Sequence, residues 1–198
     1  CHAFAIVALL GAVWAKQANA AIIYHTCSYG AQLCTANTAT GATSVIGSFG
    51  IGSTYGNAFD LDGSMFATAG STAIAKVNLS TGLATAFAAL PTFGYAIDVS
   101  PTGQLYFMGT NGSLYNINKT TGASSFIGNS GVSAVMDMSF DSSGNLLATV
   151  NGILYKINPS TGAVMGTVTT TLGGSLMGIM FDASNVLWVT IDNARTVR

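Results

Sequence analysis

Glutamate is absent from this 198-residue chain, and charged side chains make up only 7% of it. The acids are Asp60, Asp62, Asp98, Asp137, Asp141, Asp182 and Asp192; the bases are Lys16, Lys76, Lys119, Lys156, Arg195 and Arg198. So few charges exclude a basic stripe, and with it nucleic-acid binding through phosphate contacts. The scarcity of Glu, Lys and Arg also removes the residues that sustain a helical protein. Histidine is nearly absent. Past the first twenty residues only His25 remains, so a Ser-His-Asp arrangement would have to recruit it. Beside Thr26 and Cys27, the simpler reading of His25 is a plain strand residue. No Cys-His-Asp spacing matches a zinc site.

Gly, Ser, Thr and Ala fill the space that charge leaves, a mixture suited to strands joined by tight turns. It is organised by a repeat. Thr40-Gly41, Thr81-Gly82, Thr121-Gly122 and Thr161-Gly162 recur at intervals of 41, 40 and 40 residues. Asn37, Asn78, Asn118 and Asn158 each precede the Thr by three positions. A second landmark keeps the same period: Phe59-Asp60-Leu61-Asp62-Gly63, Val99-Ser100-Pro101-Thr102-Gly103, Phe140-Asp141-Ser142-Ser143-Gly144 and Phe181-Asp182-Ala183-Ser184-Asn185. A period near forty built from short β segments is the signature of propeller blades.

Residues 132–172 give the clearest unit. Val135 to Phe140 alternates on Met136, Met138 and Phe140, which predicts a half-buried strand. Asp141 to Gly144 is a turn, with Asp bonding backbone N–H groups ahead and Gly accepting positive φ. Asn145 to Val150 is a second strand, Asn151-Gly152 a hairpin, and Ile153 to Ile157 a third strand. Asn158 to Gly162 turns into a fourth, Ala163 to Thr169. The same reading fits 51–90 and 91–131. Residues 21–50 supply only later strands of a blade, and 173–198 only early ones. The predicted fold is therefore all-β, a propeller of four-stranded antiparallel blades. A partial ring is expected, the alternative being a complete four-bladed ring closed by the two chain ends.

The first twenty residues differ. Ala3 to Ala15 is a thirteen-residue apolar run, and Ala18-Asn19-Ala20 follows as an A-x-A cleavage site. This predicts a signal peptide over 1–20, whose thirteen-residue apolar run is too short to span a bilayer, and hence a secreted, periplasmic or cell-surface protein with no membrane span after cleavage. Cleavage leaves Cys27 and Cys34. In an exported chain a disulfide across the turn at Tyr29-Gly30 is expected.

The units Leu114-Tyr115-Asn116-Ile117-Asn118…Thr121-Gly122 and Leu154-Tyr155-Lys156-Ile157-Asn158…Thr161-Gly162, each after an F-D-x-x-G-like turn, resemble repeats of exported bacterial β-propellers of the broad NHL/YVTN/quinoprotein-like group. The resemblance covers nearly all of 21–192, and its motifs specify the blade rather than an activity. Related sugar-lactone hydrolases hold a metal with acidic and Asn ligands at the channel mouth. The candidates for such ligands here are Asp98 and Asp137, on or at the end of first strands. They fall at different offsets, five residues before Gly103 and seven before Gly144. Asp60, Asp141 and Asp182 share one repeat position and are read as turn caps. Tyr106, Tyr115, Tyr155 and Trp188 are read as packing between blades. The expected function is an exported scaffold for binding a protein, peptide or glycan, without a cofactor. The alternative is a metal-dependent hydrolase or lyase with Ca²⁺ or another divalent cation in the channel.

Overall fold

A computed structural model of the chain describes residues 5–8, 22–70, 72–169 and 175–192. Ala5–Ala8 (β1), Ile22–Cys27 (β2), Gln32–Asn37 (β3) and Thr43–Ser48 (β4) come first. Three four-strand units follow. They are Thr54–Phe59, Met65–Ala69, Ala73–Val77 and Ala84–Ala89 (β5 to β8); Ala96–Val99, Leu105–Met108, Ser113–Ile117 and Ser124–Asn129 (β9 to β12); and Asp137–Phe140, Leu146–Val150, Ile153–Ile157 and Val164–Thr169 (β13 to β16). Ser175–Phe181 (β17) and Leu187–Asp192 (β18) end the series. Each four-strand unit is an antiparallel meander; β2-β3-β4 and β17-β18-β1 form three-stranded sheets. The described residues contain no helix.

The innermost strands of the five sheets, β2, β5, β9, β13 and β17, line one central cavity, the arrangement of a propeller. Its cores lie between sheets rather than within them. Ala58, Phe66 and Ile74 of one blade meet Ile97, Leu105 and Phe107 of the next. Ala96, Met108 and Leu114 then meet Met138, Leu146 and Ala148. The inner strands β9 and β13 are thus covered on both faces. The alternation predicted for residues 135–140 holds at Met138 and Phe140, but Ser139 is also only 5% exposed.

The repeat turns follow the sequence reading. The Asn158 side chain accepts the N–H groups of Ser160 (2.9 Å) and Thr161 (3.2 Å), while its carbonyl accepts Gly162 N–H at 2.8 Å. Asn37, Asn78 and Asn118 do the same. Such Asx turns satisfy backbone donors locally, so they recur wherever the motif recurs. The fourth strand of each unit carries a register shift, as between Lys156 and Ile157 opposite Gly166 and Val164. A bulge there bends the outer strand toward the neighbouring blade.

The chain ends do not share one blade. β2 to β4 and β17 to β18 stand in separate sheets, and β1 takes the free edge of β18, pairing Ala5 with Ile191 and Ala8 with Trp188. β1 lies within the apolar run read as a signal peptide, and its backbone pairs an edge that would otherwise be open. The cleavage site at Ala18-Asn19-Ala20 lies outside the described residues.

Cys27 and Cys34 are disulfide-bonded, with Cα atoms 6.0 Å apart. In the β2–β3 register Cys34 faces His25 and Cys27 faces Gln32, so the bridge runs diagonally across the hairpin. Its closed loop is short, with a sequence separation of seven. Replacing both cysteines by alanine should therefore cost only about 2 kcal/mol. Urea denaturation of parent and variant measures this, and identical midpoints would contradict it.

Candidate functional site

The candidate carboxylates belong to the inner strands. In β9, Asp98 Oδ1 accepts the N–H of Val99 at 2.8 Å, and Oδ2 accepts the N–H of Phe140, in β13 of the next blade, at 2.6 Å. In β13, Asp137 Oδ1 accepts the N–H of Met138 at 2.9 Å, and Oδ2 accepts that of Ile179 in β17, also at 2.9 Å. Ser139 Oγ accepts Phe181 N–H at 3.4 Å. Adjacent inner strands lie in different sheets and share no ladder, so amides facing the neighbour need side-chain acceptors. Asp and Ser are short enough to reach. The three residues tie β9 to β13 and β13 to β17.

This enclosure changes their acidity. Burial pushes the Asp98 carboxyl up to about 6, against the opposing pull of its bonds from Phe140 and Val99. Burial pushes Asp137 further, to about 8, with the nearby Asp98 charge adding to the rise. The central cavity measures about 430 Å³, and Asn57, Asp98, Ser139 and Phe181 are among its lining residues. Asp137 does not line it. Among the described residues, no three of His, Cys and Asp gather closely enough to hold a metal ion. A carboxylate with a backbone N–H on each oxygen is a poor fit for a cation, which would compete with those bonds.

The turn acids split into two groups. Asp141 Oδ1 accepts Ser143 N–H and Asn145 N–H at 2.9 and 2.8 Å, and Asp182 Oδ1 accepts Ser184 N–H and Val186 N–H, both at 2.9 Å. Burial raises both, yet the hydrogen bonds outweigh it and hold each carboxyl below its ordinary value. Asp60 departs from the shared role. It accepts Leu61 N–H and forms an ion pair with Lys119 of the next blade at 2.6 Å, while Asp62 takes the bonds from Ser64. The second Asp of Asp60-Leu61-Asp62-Gly63 is what frees the first.

Of the recurrent aromatics, Tyr106, Tyr115 and Tyr155 pack between blades as predicted, whereas Trp188 is bonded within its own sheet. Tyr106 meets Phe140 of the next blade with ring centroids 5.0 Å apart, Tyr115 meets Phe107 and Phe126, and Tyr155 rests on the core between two blades. The indole N–H of Trp188 donates to Asp182 at 2.9 Å. His25 contacts its own neighbour, Nδ1 lying 3.1 Å from the Thr26 carbonyl oxygen. The tie made by Ser139 was not anticipated. Its repeat offset was the available signal, since Asp98 and Ser139 stand one residue before Val99 and Phe140.

The sequence matches no protein-family model and no curated protein. Solved structures do match. A chain of the nidogen/laminin complex superposes with a TM-score of 0.62 at 15% identity, over 83% of this chain and 66% of that one. A gluconolactonase from Xanthomonas campestris gives 0.63 at 12%, over 86% and 68%. The chain folds as a β-propeller. Virginiamycin B lyase from Staphylococcus aureus matches this propeller with a TM-score of 0.52 at 14% identity, over 96% of this chain and 67% of that one. The propeller spans 66% of the first of these chains, and the likeness at such identities is one of fold.

Proposed function

We propose that the propeller is an exported, non-enzymatic scaffold that presents the loops of one face of its ring to a binding partner. The observation that carries this reading is the use made of the inner-strand acids. Asp98 and Asp137 hold successive blades together through backbone amides, a role that favours rigidity over turnover. Rigid rings display function in loops. The predicted leader and the Cys27–Cys34 bridge support export, since disulfides persist in oxidising compartments. That a matching propeller occurs in the nidogen/laminin complex supports the use of this architecture for binding.

The competing reading is a metal-dependent hydrolase or lyase. Asn57 and Asp98 in the wall of one cavity favour it, as do the likenesses to a gluconolactonase and a lyase. Thermal unfolding with added Ca²⁺ or Zn²⁺ separates the two. A cation at one hundred times its dissociation constant adds about 2.7 kcal/mol to a protein that binds it only when folded. The scaffold reading expects an unchanged Tm and no turnover of lactone or ester substrates. A raised Tm together with turnover would replace it.

A further inference from the structure

We propose that one face of the ring binds an uncharged carbohydrate on a platform formed by Tyr55, Phe93 and Tyr95. The proposal rests on the scaffold reading above and names its ligand class.

The strand order sends two kinds of loop to each face. One face carries the turns that hold Asp60, Asp62, Lys119, Asp141 and Asp182. The other carries the hairpins between second and third strands and the links from one blade to the next. Among the described residues of that face, 28–31, 49–53, 90–95, 109–112, 130–136 and 151–152 include no charged side chain, and the charge that reaches it, Asp192 at the end of β18, belongs to the β17–β18 sheet, apart from the blades of Tyr55 and Tyr95. An ionic ligand placed there would lose hydration without gaining a counter-charge, so the complementary ligand is neutral.

Aromatic rings cluster on this face. Tyr55 and Tyr95 have centroids 4.8 Å apart, and Phe93 meets Tyr95 edge-on at 5.1 Å. Tyr55 remains 52% exposed and Phe93 49%. The platform is held from beneath. Gly56 lies so close to the Tyr95 carbonyl that no side chain would fit between them. A Cβ on Gly94 would come within 2.7 Å of the Gly109 backbone. The Phe93 carbonyl accepts the Thr110 N–H at 3.0 Å and its hydroxyl at 3.3 Å. The neighbouring hairpin adjoins the same place. Its Gly30 carbonyl accepts the N–H of Thr54, next to Tyr55, at 2.7 Å. At its tip Tyr29 is 82% exposed with a left-handed φ of 56°, beside the Cys27–Cys34 bridge.

Exposed rings fixed in place present π faces at little entropic cost, and the C–H face of a pyranose stacks on such faces. Thr92, Thr110 and Asn111 border the rings with hydroxyl and amide groups, which suit the hydroxyls of a sugar better than the apolar side chains of a peptide. The absence of charge in the described loops around the platform excludes uronic or sulfated sugars there on the same physical grounds.

Affinity electrophoresis through gels holding hydroxyethylcellulose, galactomannan or glycogen tests the proposal, with polygalacturonate and poly-L-proline as contrasts. At least one uncharged polysaccharide should retard the parent protein, with no dependence on salt. Tyr55→Ala and Tyr95→Ala should weaken that retardation about tenfold. Phe126→Ala, an exposed ring outside the platform, should leave it unchanged. Melting temperatures identify any variant that fails to fold, and the exposed Tyr55 then decides. Retardation by none of the uncharged polysaccharides, or equal retardation of parent and Tyr55→Ala, would overturn the platform. Binding to poly-L-proline alone would overturn the sugar assignment and leave the scaffold reading standing. Lactone turnover by a protein retarded by nothing would remove both.

Discussion

Replacing Gly162 by alanine will destabilise the propeller by about 3 kcal/mol, whereas the same change at Gly144 will cost about 1 kcal/mol. Both glycines adopt left-handed backbone, with φ of 73° and 82°. The strain of a Cβ in that region is common to the two. Their surroundings differ. A Cβ on Gly144 meets nothing within 4 Å, while one on Gly162 comes within 2.7 to 3.0 Å of the Gly128 backbone in the preceding blade. Backbone cannot rotate aside as a side chain does, so overlap adds to strain. Gly82 stands against Gly47 in the same way, with 2.7 Å to the carbonyl oxygen. Urea denaturation gives both values, and equal costs at 144 and 162 would contradict the inter-blade contact.

The second large effect is in pH dependence. Asp137 and Asp98 have folded-state values of about 8 and about 6, raised above the ordinary 3.8. Below pH 4 both carboxyls are protonated in folded and unfolded chains alike. As pH rises, the unfolded chain loses these protons first, so the folded state holds more of them and stability falls. The fall extends to about pH 8, with a slope of up to about 1.4 kcal/mol per pH unit for each group. Asp141 and Asp182 act in the opposite sense. Their lowered values contribute stability that is lost as pH drops below the ordinary carboxylate range. The optimum should therefore sit near pH 4–5. Asp137→Asn removes the group with the largest rise, so its stability relative to the parent should improve steadily from pH 4 to 8. A difference between parent and variant that ignores pH would contradict this. Thermal melts across that range measure it.

What the sequence revealed was whatever depends on neighbours along the chain. Each Asn-x-x-Thr-Gly turn closes on itself, with Asn158 bonding Ser160 and Thr161, so four copies of the motif announced four turns. The hairpin disulfide joins residues seven apart and was legible for the same reason. The work done by Asp98 and Asp137 was not. Their decisive partners, Phe140 and Ile179, are each 42 residues away, one blade further round the ring. Alternation placed residues 137 and 139 toward solvent because a strand was expected to bury one face. β9 and β13 bury both. The pairing of Tyr55 with Tyr95 likewise depends on Gly56 lying against the next blade, which the sequence spacing does not disclose. Asp60 shows the reverse case, where equal repeat positions suggested equal roles and a single extra acid changed the bonding.

The carboxylate ties between blades are tested most directly by following backbone amide resonances of ¹⁵N-labelled protein from pH 4 to 9. The Phe140 amide should titrate with an apparent pKa of about 6 and the Ile179 amide with one of about 8, each reporting the carboxylate it donates to. Both should be indifferent to added Ca²⁺. Amides that titrate near 4, or that shift on adding Ca²⁺ at constant pH, would show solvated carboxylates free to hold a cation, and would contradict the ties.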